Sequence, residues 1–228
     1  MKIINQQTSK LKIIYGPAVA IDAVLFTLDQ DQLKVLLIKI NNGPYQNKWA
    51  LPGGLVQLNE TLDEAAKRVL FQKTNIGDIH LEQLYTFGDL KRDTRGRVIS
   101  VAYFALVSHP NNYKVKTTPY YSEITWQPIK NLPTMAFDHR KIIEEALTRL
   151  KAKIEYTNVS YSLLPKEFVL TDLQKTYEII LGKKLDKRNF RKKIISIGLV
   201  EKTEKKEKGK PHRPASLYRF VKRELRKI

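Results

Sequence analysis

The sequence predicts an α/β (α+β) chain in two parts: a mixed-sheet domain over residues 1–153, then a small basic domain of two helices and a hairpin over 154–228. Three observations carry this division. Apolar runs of β-forming residues alternate with amphipathic helical stretches as far as the 150s. There a charged helical segment gives way to a polar stretch at 156–162 and then to Leu163-Leu164-Pro165. The charge shifts at the same place. Of 228 residues, 41 are Lys or Arg and 23 Asp or Glu, so the net charge is 41 − 23 = +18. Residues 1–150 contribute 19 − 14 = +5, and residues 151–228 contribute 22 − 9 = +13.

So large an excess calls for a polyanionic partner, nucleic acid or an acidic membrane surface. Apolar residues at 42 % and charged residues at 28 % describe a chain that folds. The absence of cysteine excludes a disulfide framework, a cysteine-held zinc and a thiol nucleophile. Apolar stretches such as 18–28 and 35–40 are too short or too interrupted to span a bilayer. The first 15 residues lack a long apolar segment and a small-residue cleavage site, and the expectation is a cytoplasmic protein.

Element by element, 19–28 and 33–39 read as two strands joined by the Asp29-Gln30-Asp31 turn. Pro52-Gly53-Gly54 forms a loop whose glycines permit close backbone approach. From Thr61 a helix carries Leu62, Ala65, Ala66, Val69 and Leu70 as its apolar stripe. Strands follow at 81–87, 98–107 and 122–128. A helix from Asp138 to Lys153 turns Ile142, Ile143, Ala146, Leu147 and Leu150 inward.

In the second part, Thr171 and Gln174 have the spacing of a capping box, which predicts a helix start there with Leu173, Tyr177 and Ile180 inward and a stop near Gly182. Asp186 is placed to cap a second helix over 187–197 that buries Phe190, Ile194 and Ile197. At 100° per residue, Arg188, Arg191 and Lys192 point away from that face, with Lys187 and Lys193 on its flanks. Strands at 199–203 and 216–221 flank a tip that holds Lys210, His212 and Arg213. Helix, Gly-containing turn, basic helix and basic hairpin make a winged helix-turn-helix, in which Arg188, Asn189 or Arg191 would read base edges and the lysines would meet phosphates. A membrane target fits less well, because the basic elements lack an apolar face with Trp or Phe to insert. An RNA-binding adaptor fits less well too, since no aromatic-studded sheet accompanies the charge.

Gly54, five residues, Glu60, seven residues and Arg68 resemble the first half of the Nudix box. In that family the box holds Mg²⁺ against a diphosphate through glutamates late in its helix. The family's run of Arg-Glu-apolar-x-Glu-Glu-x-Gly here reads Arg68-Val69-Leu70-Phe71-Gln72-Lys73-Thr74-Asn75. Val69, Gln72 and Lys73 replace the three glutamates. Mg²⁺ requires anionic oxygen, and an ammonium at Lys73 repels it while still attracting a ligand phosphate. The expectation is therefore no metal, no cofactor and no catalytic residue. The rival is a working Nudix hydrolase using the upstream Glu60, Asp63 and Glu64, whose bland reading is compensation of the helix dipole.

Arg92-Asp93-Thr94-Arg95-Gly96-Arg97, running into a strand, is similar to a segment shared by ADP-ribose-directed Nudix enzymes and regulators derived from them. Arginine forks suit phosphate oxygens and aspartate suits sugar hydroxyls. The expected effector contacts are Gly54, Glu60, Arg68, Lys73, Arg92, Asp93, Arg95 and Arg97. Phe137-Asp138-His139 resembles a further segment of that group, although Asp138 is expected to serve as a helix cap. A Nudix-like domain followed by a winged helix resembles the NrtR group of bacterial transcription regulators. The resemblance implies a homodimer on palindromic double-stranded operator DNA, acting as a repressor controlled by ADP-ribose or a related NAD metabolite. Sugar-responsive relatives in the same group leave a sugar effector open.

Overall fold

A computed structural model describes residues 2–5, 12–108, 110–113, 115, 121–207 and 214–223, with backbone alone at 2–5, 12–15 and 112. The short antiparallel hairpin β1 (Lys2–Asn5) and β2 (Lys12–Tyr15) precedes the main sheet, where the sequence reading assigned no element.

The sheet is built around β3 (Ala18–Asp29). It pairs antiparallel with β4 (Gln32–Ile40) through a turn in which Gln30 and Asp31 take φ of 48° and 61°. The short β5 (Trp49–Ala50) joins β4, and β6 (Gly53–Leu55) joins β3. On its other side β3 runs parallel to β8 (Val98–Leu106), which carries β7 (Glu82–Phe87) at the edge. β9 (Tyr121–Pro128) pairs with β4, completing seven strands.

Eight successive residues of β3, 20–27, are buried, because helices cover both faces of the sheet. Ile21 packs with Ala65, Ala66, Val101 and Tyr103 beneath α1 (Leu62–Thr74). Val24 and Phe26, with their side chains on the opposite face, meet Ile142, Ala146 and Leu150 of α2 (His139–Tyr156). Thr61 caps α1 in a full capping box with Glu64. Asn75 ends it in the left-handed region at φ 61°, so the loss of the box glycine is absorbed by the residue type next best suited to that conformation. Leu62, expected on the inner stripe, is 36 % exposed.

The C-terminal part consists of α3 (Leu170–Leu181), α4 (Lys187–Ser196) and the antiparallel pair β10 (Val200–Lys206) and β11 (Ser216–Phe220). Gly182, at φ 71°, makes the turn between the helices. Phe168 adds a bridge to Tyr218, with paired N–H···O bonds of 3.0 and 2.8 Å. Its ring lies 5.0 Å from that of Phe220.

Two local expectations need correction. Thr171 does not cap α3: the N-cap is Val169, extended and without a side-chain cap bond. The Phe168 bridge and burial of Leu170 start the helix earlier, and the Gln174 amide turns to Glu178 and the Leu185 carbonyl. Ile197 also leaves the buried stripe, because α4 stops at Ser196 and leaves it 37 % exposed. One continuous apolar cluster joins the two parts: Leu150 and Ile154 of α2 share it with Leu173, Tyr177, Phe190, Ile194 and Phe220. The expected 153/154 division falls within the last turn of α2.

Candidate functional site: a polar-floored cavity and a basic helix

A cavity of about 560 Å³ opens between β3, β4, the end of α1 and the 92–97 loop, within the range of roughly 300–1,000 Å³ that small-molecule sites occupy. Its floor is a buried charge network. Asp22, the lone acid inside the apolar β3 run, accepts from Ser100 Oγ at 2.6 Å on the neighbouring parallel strand. Arg92 Nη2 reaches Asp22 Oδ2 at 3.1 Å and Asp138 Oδ1 at 2.8 Å, while its Nε donates to Asp138 Oδ2 at 3.1 Å. The Leu51 amide donates to Nδ1 of His139 at 2.9 Å, so Nε2 carries the ring proton and faces Asp22 Oδ1 at 3.3 Å. Burial pushes the Asp22 carboxyl up, but His139, Ser100 and Arg92 together hold it down at about 2. Gly53 is dictated by this floor: a Cβ there would stand 2.3 Å from Asp22 Oδ1 and 3.0 Å from the Ile21 carbonyl.

The walls combine cations with rings. Arg95 is braced by Asp93 through Nε at 3.0 Å and Nη2 at 2.8 Å, yet 61 % of its side chain is exposed. Its guanidinium lies 5.1 Å from the Phe137 ring. Phe137 has φ 52°, a costly conformation for a bulky residue, and packs against Tyr45 and His139 at 4.1 and 4.9 Å between ring centres. Arg97 Nη1 is tied to the Gly88 and Asp89 carbonyls at 2.8 and 3.1 Å. Lys73 enters from the end of α1, 5.2 Å from the Tyr121 ring, with its pKa lowered by burial and by Arg68.

Six of the eight expected effector residues, Gly54, Lys73, Arg92, Asp93, Arg95 and Arg97, line this one cavity. Glu60 and Arg68 do not. They pair with each other, Arg68 Nε at 2.7 Å from Glu60 Oε2, and that bond with the Gln57 amide holds Glu60 at about 2 despite some burial. Asp138, expected to cap α2, stands at the N-cap position without a side-chain cap bond, because its carboxylate is engaged by Arg92. Asp22, Ser100, Tyr45 and Tyr121 were missed from sequence. A single aspartate amid VAI-AVLF was the available signal for the first.

The donors along α1 do not suit Mg²⁺. Val69 is fully buried, Gln72 Oε1 accepts from Arg68 at 3.1 Å, and Lys73 is cationic. Asp63 accepts from the Tyr103 hydroxyl at 2.6 Å and Glu64 closes the capping box. Among the described residues no group of three or more His, Cys, Asp or Glu could hold a metal ion.

The second surface is α4. The Asp186 carboxylate caps it by accepting from the Asn189 amide at 2.8 Å, as its spacing predicts. Phe190 and Ile194 are buried, and Lys187, Arg188, Asn189, Lys192 and Lys193 stand exposed. Arg191 is half-buried, with Nη2 3.5 Å from Thr171 Oγ1 at the start of α3. Lys205, on the ascending strand of the wing, pairs with Glu167 at 3.1 Å. Lys210, His212 and Arg213 lie outside the described residues. No helix among the described residues is long and apolar enough to cross a membrane.

Comparison with known proteins agrees with this division of labour. Residues 16–146 match the NUDIX domain, and residues 160–220 match the NrtR DNA-binding winged helix domain. The ADPR responsive transcriptional repressor NtrR of Acinetobacter baylyi is 41 % identical over 210 residues, covering 90 % of this chain and 83 % of that one. The crystal structure of Shewanella oneidensis NrtR complexed with a 27mer DNA matches with a TM-score of 0.76 at 36 % identity, over 89 % of this chain and 93 % of that chain. The NUDIX domain of the same Shewanella protein, in a cocrystal with ADP ribose, matches with a TM-score of 0.55 over 60 % of this chain and 90 % of that chain. An ADP-ribose pyrophosphatase of Methanocaldococcus jannaschii is 34 % identical over 145 residues, 63 % of this chain and 82 % of that one. With both domain models matched in order along one chain, and a full-length relative at this identity, the chain belongs to the NrtR family of NUDIX-domain transcription regulators.

Proposed function

We propose that the chain is an ADP-ribose-responsive transcriptional repressor that binds as a homodimer to double-stranded operator DNA and does not hydrolyse its ligand. The observation that carries this reading is the pairing, in one polypeptide, of a cation-rimmed cavity in the NUDIX part with an exposed basic helix in the winged part. ADP-ribose suits the cavity chemically. Its diphosphate would face Lys73, Arg95 and Arg97, and its adenine would find the Phe137 and Tyr121 rings, while Asp93 holds Arg95 in place. The relatives' ligands favour ADP-ribose over a sugar. The pyrophosphatase relative makes hydrolysis the reading to test against, and the cationic Lys73 and the engaged Glu60 and Glu64 argue for sensing.

On the DNA, α4 enters the major groove, with the exposed Arg188 and Asn189 at base edges and Lys187, Lys192 and Lys193 at phosphates. The half-buried Arg191 and the tip residues Lys210, His212 and Arg213 add contacts. Two-fold symmetry places the α4 helices about 34 Å apart on a palindrome. The division into 1–153 and 154–228 follows function rather than packing, since the core is continuous. Selection of duplexes from a random pool is expected to return a palindrome bound by twice the chain mass. ADP-ribose incubated with protein and Mg²⁺ is expected to remain intact. Binding to random duplex with no preference, or steady release of AMP, contradicts the reading.

A further inference from the structure

Two segments distant in sequence, the arginine loop and the Phe137-Asp138-His139 stretch, meet under the cavity through Arg92 and Asp138. Arg92 lines the cavity; Asp138 lies behind it, at the N-cap position of α2. Aspartate is among the strongest helix caps, accepting from amides of the first turn. Here that cap is not made: both carboxylate oxygens are taken by Arg92, and the Asp138 backbone, at φ −96° and ψ 20°, is not in the extended conformation that a capping residue adopts. A turn of the Asp138 backbone to the extended conformation would offer its carboxylate a second set of donors in the first turn of α2, and it can satisfy one set at a time. Asp22 is placed differently: if the guanidinium turns away, Ser100 Oγ and His139 Nε2 remain on it. The network can release Arg92 without stranding a bare buried carboxylate.

The far end of α2 reaches the DNA-binding part. The helix has 18 residues, a span of roughly 27 Å at 1.5 Å per residue. Leu150 and Ile154 pack in the same cluster as Tyr177 of α3 and Phe190 and Ile194 beneath the basic face of α4. A change in how the first turn is seated would thus have a path through close-packed side chains to the helix that carries Arg188 and Lys192.

We propose that Arg92 and Asp138 form a two-position switch: a phosphate-bearing ligand in the cavity draws Arg92 onto its oxygens, and the freed Asp138, its backbone turning extended, caps α2 with its carboxylate and reseats the first turn. This rests on the reading of the cavity as an ADP-ribose site. Asp138 is a positioning residue, acting through Arg92 on one side and through α2 on the other, without touching the ligand.

The test uses the full chain, ADP-ribose and the duplex recovered by selection, with wild type, Asp138→Ala and Asp138→Asn compared. Wild type is expected to show an operator affinity that changes on the order of 5–150-fold with saturating ADP-ribose. In Asp138→Ala, which can make neither contact, that ratio falls to near unity while ADP-ribose still binds by calorimetry. Asp138→Asn can cap but cannot form the ion pair, so its ligand-free operator affinity moves to the wild-type ADP-ribose-saturated value. Hydrogen exchange at the Arg140 amide slows on ligand binding in wild type and not in Asp138→Ala, a readout independent of DNA; the Lys141 amide already donates to the Asp138 carbonyl at 2.9 Å. Full wild-type ratios in both variants, or no change at the Arg140 amide when ADP-ribose binds wild type, overturn the switch alone. Failure of ADP-ribose to bind wild type overturns the cavity reading, and the switch with it.

Discussion

The cavity and the basic helix are both rich in cations, but they hold them in opposite ways. Around the cavity, Arg92, Arg95 and Arg97 are each braced by a carboxylate or a carbonyl, and Arg92 is almost fully buried. On α4, Arg188 and Lys192 extend into solvent from a helix fixed by Phe190, Ile194 and the Asp186 cap. The braced Arg95 and Arg97 present a preformed geometry to a small anion and lose little side-chain freedom on binding it. Exposed lysines and arginines suit the long, uniformly charged backbone of DNA, where released counterions supply much of the affinity. One region is built for shape and the other for charge.

That contrast breaks first if the two regions prove to fold separately. Leu173→Ala removes a fully buried side chain from the shared cluster, and is expected to cost about 2–5 kcal/mol. Denaturant unfolding followed by a sheet probe and by an α3 probe should shift together; two separate transitions would divide the core. Next in size, Arg188→Ala is expected to lose about 1–3 kcal/mol of operator affinity and to relax specificity at one base pair. Lys192→Ala should weaken all duplexes alike and reduce the slope of affinity against salt by about one. ADP-ribose affinity measured by calorimetry should be the same in both.

The cavity floor adds a pH signature. Asp22 titrates at about 2 in the folded chain against an ordinary 3.8. In the interval between these values the unfolded chain binds the extra proton, so stability rises with pH there. The contribution, about 2 kcal/mol by the conversion of 1.36 kcal/mol per unit, is complete above 3.8 and is lost as pH falls through about 2. In Asp22→Asn, the stability measured between pH 4 and pH 2 should fall less steeply; an unchanged slope would remove Asp22 from the network. Smallest is Thr61→Ala, which breaks the capping box of α1 and should lower stability by about 1 kcal/mol, read as a shift in denaturant midpoint. ADP-ribose binding should survive it.

Strand and helix positions were legible wherever one residue pattern decided them. The buried run of β3, the Thr61 start of α1 and the Asp186 start of α4 are local in origin and read directly. Thr171 misled because tertiary contacts, the Phe168–Tyr218 bridge and the burial of Leu170, overrode a correct local signal. In the cavity, the arginine loop was visible as a motif, but its partners were not. Asp22, Asp138 and Arg92 lie as far as 116 positions apart in sequence, as Asp22 and Asp138 do, and only the parallel pairing of β3 with β8 and the seating of α2 bring them together. The first half of the box placed Glu60 and Arg68 with the ligand, whereas their mutual ion pair satisfies both outside the cavity.

The central claim, that occupancy of a braced cavity in one part sets the grip of an exposed basic helix in the other, is tested most directly by anisotropy of a labelled palindromic duplex titrated with protein, with and without ADP-ribose. A shift in operator affinity of about fivefold or more, with the nucleotide recovered uncleaved, is the predicted result. Superimposable titrations under saturating ADP-ribose would contradict it.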